Sequence, residues 1–277
     1  MKIPRYWARA NRSADGPDGR PFRLDLWGWS HGSVAEARQL AERRAADIAA
    51  RLARGDTLHA YAYGERVLRE ERLRLIGDDA DPQAIVTRNA YGAIVLNTAR
   101  LPFIDVDTGE VRAPKKLFGL FGGKSTPDPA LERVREACRR HALQSFRIYR
   151  TRAGYRVIAT DMTLDPRAET TKTLLQGFGA DPSFITLCRL QESFRARLTP
   201  KPWRCDCPAP PSRFPREDAA AHARFAEWLR EYEARSAGYA TCQFLESVGA
   251  GRQSDEARAI VIEHDRTSKA ESGLPLA

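Results

Sequence analysis

Histidine, cysteine and methionine are scarce in this chain, and long apolar runs are missing. Its 277 residues include five His, five Cys and two Met. Cys138, Cys188, Cys205, Cys207 and Cys242 are odd in number and follow no paired spacing, which excludes a disulfide-stapled scaffold. Cys205 and Cys207 have no matching ligand pair downstream, so a structural zinc site has little to build on, and buried thiols are the plainer expectation. His31, His59, His222 and His264 are scattered, which gives a histidine-based triad little support. His264, between Glu263 and Asp265, is left as a candidate for acid–base work. No stretch approaches the ~20 apolar residues that cross a bilayer. The opening segment "MKIPRYWARANRSADG" lacks the apolar core of a signal peptide, so a reducing cytoplasm is the expected location and no membrane partner is expected. Internal repeats and low-complexity blocks are absent too.

What the chain has is positive charge. Lys and Arg number 45 against 36 Asp and Glu, a net charge of +9, with arginine outnumbering lysine. Such a surface concentrates polyanions, and arginine adds forked hydrogen bonds to phosphate. Nucleic acid is the expected partner; solubility alone is the competing explanation.

Periodicity then divides the chain. Ser33 and Glu36 form a capping box and Gly55 a stop, predicting a helix with an arginine-rich outer face. "AIVLNTARLPFIDVD" reads as two apolar strands broken around residues 97–100. "TGEVRAPKKLFGLFGGKSTPDP" is a basic loop; from Gly119 it is one residue short of a phosphate-binding P-loop. "PALERVREACRRHAL" is a helix with Leu131, Val134, Cys138 and Leu143 on its apolar face. "SFRIYRTRAGYRVIATDM" is the clearest hairpin. Helices follow at "ETTKTLLQGFG" and "PSFITLCRLQESFRAR", then a proline-rich stretch and the amphipathic helix "EDAAAHARFAEWLREYEARSAG". "YATCQFLESVG" and "ARAIVIEHD" read as a final strand pair. A single α+β domain over 1–277 is expected: an N-terminal helical extension (1–88), an antiparallel sheet with an RRM/ferredoxin-like βαββα core (89–204) and helices packed on it, and a C-terminal helix and strand pair (205–277).

The chemistry centres on "FIDVD". Asp105 and Asp107 lie two apart on a strand, so both face the same way and repel. A divalent cation, Mg²⁺ or Mn²⁺, would compensate them, as in two-metal sites; a solvated strand end is the alternative. The hairpin gathers Arg150, Thr151, Arg152 and Arg156 at one sheet end, a cluster suited to a triphosphate or a nucleic-acid backbone. Trp7, Trp27 and Trp29 are candidates for base stacking or for core packing. Trp203, beside Lys201 and Arg204, is the better stacking candidate.

These motifs together resemble the archaeo-eukaryotic-type primase-polymerases over about residues 90–204. "FIDVD" is similar to their Asp-x-Asp strand, and "TRAGYRV" to the strand that holds the incoming nucleotide, with Arg156 in the place of the family's histidine. "ADPSFITLCRLQESFRARLTPKPWR" is similar to the third element, which makes Asp181 the third catalytic acid and Arg195, Arg197 and Lys201 the basic tail. Asp181 also reads as a helix N-cap ahead of Pro182. The resemblance implies metal-dependent nucleotidyl transfer from a nucleoside triphosphate, with catalytic Asp105, Asp107 and Asp181. Asp265 is a rival for completing the metal shell with Asp105 and Asp107, and Glu263 is another rival acid. A non-catalytic nucleic-acid-binding protein and a metal-dependent nuclease are the alternatives.

Overall fold

The computed structural model describes residues 1–15, 21–56, 67–108, 128–216 and 218–277. They form two compact units, Lys2–Arg69 and Glu70–Ala277, the latter joined by Met1.

In the first unit, β1 (Tyr6–Asp15) and β2 (Pro21–Ser30) form an antiparallel hairpin covered by α1 (Val34–Ala53). The predicted cap is present, Ser33 Oγ accepting from the Glu36 N–H at 3.1 Å. Ala37, Ala41 and Ala45 line the buried face of α1 and let it approach closely. A Cβ on Gly28 would lie 2.1 Å from the Ala37 carbonyl oxygen, so that glycine is required. Trp7 and Trp29 pack at 5.9 Å, and the Arg44 guanidinium lies 4.6 Å from the Trp29 ring. The expectation of a helical extension over 1–88 is corrected: among the described residues of that segment one helix is flanked by strands, whose partly solvated, polar sequences hide the alternation.

The second unit is α+β with two four-stranded antiparallel sheets. One has the order β10 (Cys242–Val248), β7 (Phe146–Thr151), β8 (Gly154–Ala159), β6 (Phe103–Asp107). The other has the order β3 (Glu71–Gly77), β4 (Pro82–Arg88), β5 (Ile94–Thr98), β9 (Phe194–Arg197). The β7–β8 hairpin is where the sequence placed it. β8 pairs antiparallel with both β7 and β6, so β6 and β7, linked through α2 (Pro129–Arg139), run parallel with β8 between them. Helices cover both faces of that sheet. Tyr155 donates to the α2 N-cap Asp128, whereas its neighbour Arg156 meets His264 of α6 (Asp255–Ser268), and adjacent strand residues face opposite ways. α3 (Glu169–Gly177), α4 (Pro182–Gln191) and α5 (Ala219–Ser236) complete the unit.

Three local expectations are corrected. "ARAIVIEHD" belongs to helix α6, not to a strand: Ser254 caps it, and Ala257, Ile260, Val261, His264 and Ser268 are buried at helical spacing. The β-branched run had masked that period. The expected helix over "PSFITLCRLQESFRAR" stops at Gln191, because Glu192 takes the left-handed conformation (φ 52°) and Phe194–Arg197 then enters a sheet. Leu143 lies beyond α2 and is 83% exposed. The P-loop-like segment falls within 109–127, outside the described residues.

Candidate functional site

Asp105 sits on edge strand β6, directly across from Arg156 on β8. That register gives Asp105 a partner of opposite charge. Arg156 Nε reaches Asp105 Oδ1 at 2.7 Å and its terminal nitrogen reaches Oδ2 at 3.0 Å, a bidentate contact. A guanidinium on the adjacent strand therefore compensates Asp105. Arg156 is held from behind as well, donating to the Arg197 carbonyl at 3.1 Å and lying 3.4 Å from His264 Nε2. His264 Nδ1 is 2.8 Å from Asp265 Oδ1, and its ring packs 5.8 Å from Phe103 and 4.8 Å from Tyr149. In the neutral tautomer that donates Nδ1–H to Asp265, the imidazole turns an Nε2 lone pair toward Arg156.

Around this pair lies a recess of about 180 Å³, lined by Asp105, Asp107, Thr151, Ala153, Tyr155, Arg156, Arg197, Lys201, Arg204 and Thr241. It opens where edge strand β6 adjoins edge strand β9 of the other sheet, with the Asp181 N–H 3.4 Å from the Asp105 carbonyl. A glycine lets one wall come close: Gly154 stands opposite Asp107, and a Cβ there would be 2.0 Å from the Val106 carbonyl oxygen.

With Arg156 cancelled by Asp105, Arg197, Lys201 and Arg204 face Asp107 across the recess. Arg197 Nε is buried with no hydrogen-bond partner. Burial first, then repulsion from Arg156 and Arg204, lowers its pKa to about 10, so it stays charged at neutral pH. Lys201 is lowered by desolvation and by Arg197 and Arg204. Asp107 is exposed at the strand end, so only its inner side is desolvated; that and the Asp105 and Asp181 charges push its carboxyl up, and Lys201 and Arg197 only partly offset them. An anion brought to the recess would relieve the mutual repulsion of Arg197, Lys201 and Arg204, whereas Asp107 is relieved only by a cation.

Six residues singled out from sequence meet in this recess: Asp105, Asp107, Thr151, Arg156, Arg197 and Lys201. Asp181 is close enough to raise Asp107, and its Oδ1 accepts from the Ser183 N–H at 3.1 Å as the N-cap of α4. Trp203 stands beside Lys201, whose ammonium is 5.4 Å from the indole centroid. The other candidates lie elsewhere. Arg195 is tied to Glu70 at 2.7 Å and Gln191 at 3.0 Å. Arg150 is partly buried on β7 near Asp128 and Tyr155, and Arg152 is exposed at the hairpin turn. Asp265 is behind the recess, engaged by His264 and by Arg147 at 2.7 Å, and Glu263 is paired with Arg74 and Arg266. Arg204, Tyr155 and Thr241 line the recess without having been singled out. Arg204 could have been found from its place in "KPWR"; Thr241 arrives only because β10 joins the far edge of the sheet.

A divalent cation fits this donor set in part. Asp105 and Asp107 could offer carboxylate oxygens, but both Asp105 oxygens already accept from Arg156. Among the described residues no group of three or more His, Cys, Asp or Glu is arranged to hold a metal ion. Mg²⁺ commonly takes one or two carboxylates plus substrate phosphates and water, and that mode suits these residues better than an all-protein cage. The five cysteines are buried free thiols. Among the described residues no helix is long and apolar enough to cross a membrane. No family model, no curated protein and no solved structure matches this chain.

Proposed function

We propose that this chain is a nucleic-acid-associated protein that receives a nucleotide phosphate in the β6–β9 recess. Its active form resembles a primase-polymerase core, with the β6–α2–β7–β8 run as the opening of an RRM/ferredoxin-like unit. The carrying observation is that Asp105, Asp107, Thr151, Arg156, Arg197 and Lys201, from three separate stretches of sequence, line one recess. Arg197 and Lys201 take the phosphate oxygens, and Thr151 supplies a hydroxyl at the rim. Mg²⁺ or Mn²⁺, held by Asp105 and Asp107 together with the nucleotide's phosphates, would supply Lewis-acid stabilisation of the leaving pyrophosphate. Asp181 adds negative charge beside Asp107.

A second reading, phosphate binding without catalysis, is favoured by one observation: the bidentate Arg156 contact already neutralises Asp105. Titration calorimetry with a nucleoside triphosphate, with and without Mn²⁺, separates the two. Nucleotidyl transfer predicts that Mn²⁺ tightens nucleotide binding in wild type and not in Asp107→Asn, with primer extension in the same buffer. Tight nucleotide binding indifferent to Mn²⁺, with no extension, supports the binding-only reading. Absence of nucleotide binding by wild type would remove the recess from consideration under both.

A further inference from the structure

Seven large apolar side chains are exposed among the described residues of the second unit, and two of them, both aromatic, touch. Trp203 is 54% exposed and Tyr91 is 49% exposed, with ring centroids 5.3 Å apart and planes at 88°. They come from different elements, the β4–β5 turn and the short 3-10 turn Pro202–Arg204. Neither is a loose side chain on a loose loop. Asn89 Oδ1 accepts from the N–H groups of Tyr91 at 2.9 Å and Ala93 at 3.1 Å, which closes the first turn. Gly92 has φ +81°, and a Cβ there would be 2.2 Å from the Trp228 ring, so the turn is pressed onto α5. The second turn is anchored by buried Cys205 and Cys207, which pack with Phe225, Trp228 and Tyr232. Tyr232 OH also donates to the Pro200 carbonyl at 2.6 Å. The cysteine pair that looked like a weak zinc motif instead helps hold Trp203 outward.

Keeping two aromatic rings rigid and wet costs hydrophobic free energy that a core position would recover. A planar, π-faced ligand offsets that cost, and the charges beside the rings specify which kind. Lys201 stands 5.4 Å from the indole centroid and also lines the recess, as does Arg204. Aromatic rings continuous with a cationic phosphate site form the arrangement that binds unpaired bases on a sugar–phosphate strand.

We propose that Tyr91 and Trp203 form a stacking platform for an unpaired base of a single-stranded nucleic acid whose adjoining phosphate enters the Arg197–Lys201 recess. The strand assignment rests on the phosphate reading given above, and the platform itself rests on the ring pair. A duplex keeps its bases stacked inside and cannot use the platform.

The test is fluorescence anisotropy with a labelled oligothymidylate, an abasic oligomer of the same length and a duplex. Wild type is expected to bind the oligothymidylate on the order of tenfold more tightly than the abasic strand, since base stacking on a side chain carries ~1–3 kcal/mol. Trp203→Ala and, separately, Tyr91→Ala should remove most of that preference while leaving the abasic affinity unchanged, and Trp203→Phe should retain part of it. Equal wild-type affinity for thymidylate and abasic strands overturns the platform and leaves the phosphate recess standing. Binding of thymidylate that Arg197→Ala does not weaken, but Trp203→Ala abolishes, would overturn the phosphate reading and keep the platform. A preference for duplex, or no binding to any of the three, overturns both.

Discussion

Asp105 and Asp107 share a strand face but differ in how their charge is met. Asp105 has a guanidinium across the ladder at 2.7 Å. Asp107, one position pair further along, has none at that distance, and its carboxyl is pushed up by desolvation and by Asp105 and Asp181. A carboxyl whose folded-state pKa exceeds its unfolded value binds its proton more tightly in the folded state, so stability falls as pH rises through the folded pKa. The destabilisation is fully present above the folded pKa and gone below the ordinary aspartate range near ~3.9. Asp107→Asn is therefore expected to raise Tm at about pH 7, with the gain vanishing by about pH 3.5. Scanning calorimetry at the two pH values checks this, and a variant less stable than wild type at neutral pH would contradict it. Retaining such a residue makes sense where it serves a ligand.

At the scale of elements, the recess depends on how closely β6 and β8 approach. Gly154 begins β8 opposite Asp107, where any Cβ meets the Val106 carbonyl at 2.0 Å. Both clashing partners are backbone, so no rotamer change relieves them. Gly154→Ala is expected to cost ~1–3 kcal/mol, the usual penalty of overpacking, and to weaken nucleotide binding by shifting Asp107. Urea unfolding measures the first effect; an unchanged midpoint would mean that the strands can part freely. The hairpin carrying Gly154 was legible in the sequence because its alternation is strong and its turn is local. β9 and α6 were not. β9 follows a helix with only Glu192, a residue that seldom adopts positive φ, to mark the break. The apolar run of α6 is β-branched, and its helical character shows only in positions buried against other elements.

Across the whole molecule the charge balance is +9, yet many of its arginines are already committed to carboxylates, as Arg195 is to Glu70 and Arg147 to Asp265. Net charge therefore overstates the cation available to a polyanion. If Arg197, Lys201 and Arg204 carry the phosphate contacts, the logarithm of single-strand affinity should fall with the logarithm of salt at a slope of about −2, from ~0.7 per contact. Lys201→Ala should reduce that slope by about 0.7. A much steeper wild-type slope, unaltered in this variant, would place the contacts on other parts of the basic surface. Anisotropy titrations between about 50 and 200 mM salt give both values.

By itself the sequence determined the local features: the capped helix α1, the β7–β8 hairpin, the amphipathic α5, and a strand ending in two acids beside an arginine-rich hairpin. Each is written in a short-range pattern of period, cap or turn, and so can be read without knowing what packs against it. Tertiary structure alone decided what meets what. It set Arg156 opposite Asp105, brought Arg197, Lys201 and Thr241 to the same recess, drew Asp265 behind it, and stood Tyr91 against Trp203. Those outcomes depend on strand register and sheet-edge order, which contacts between distant residues determine and no local window contains.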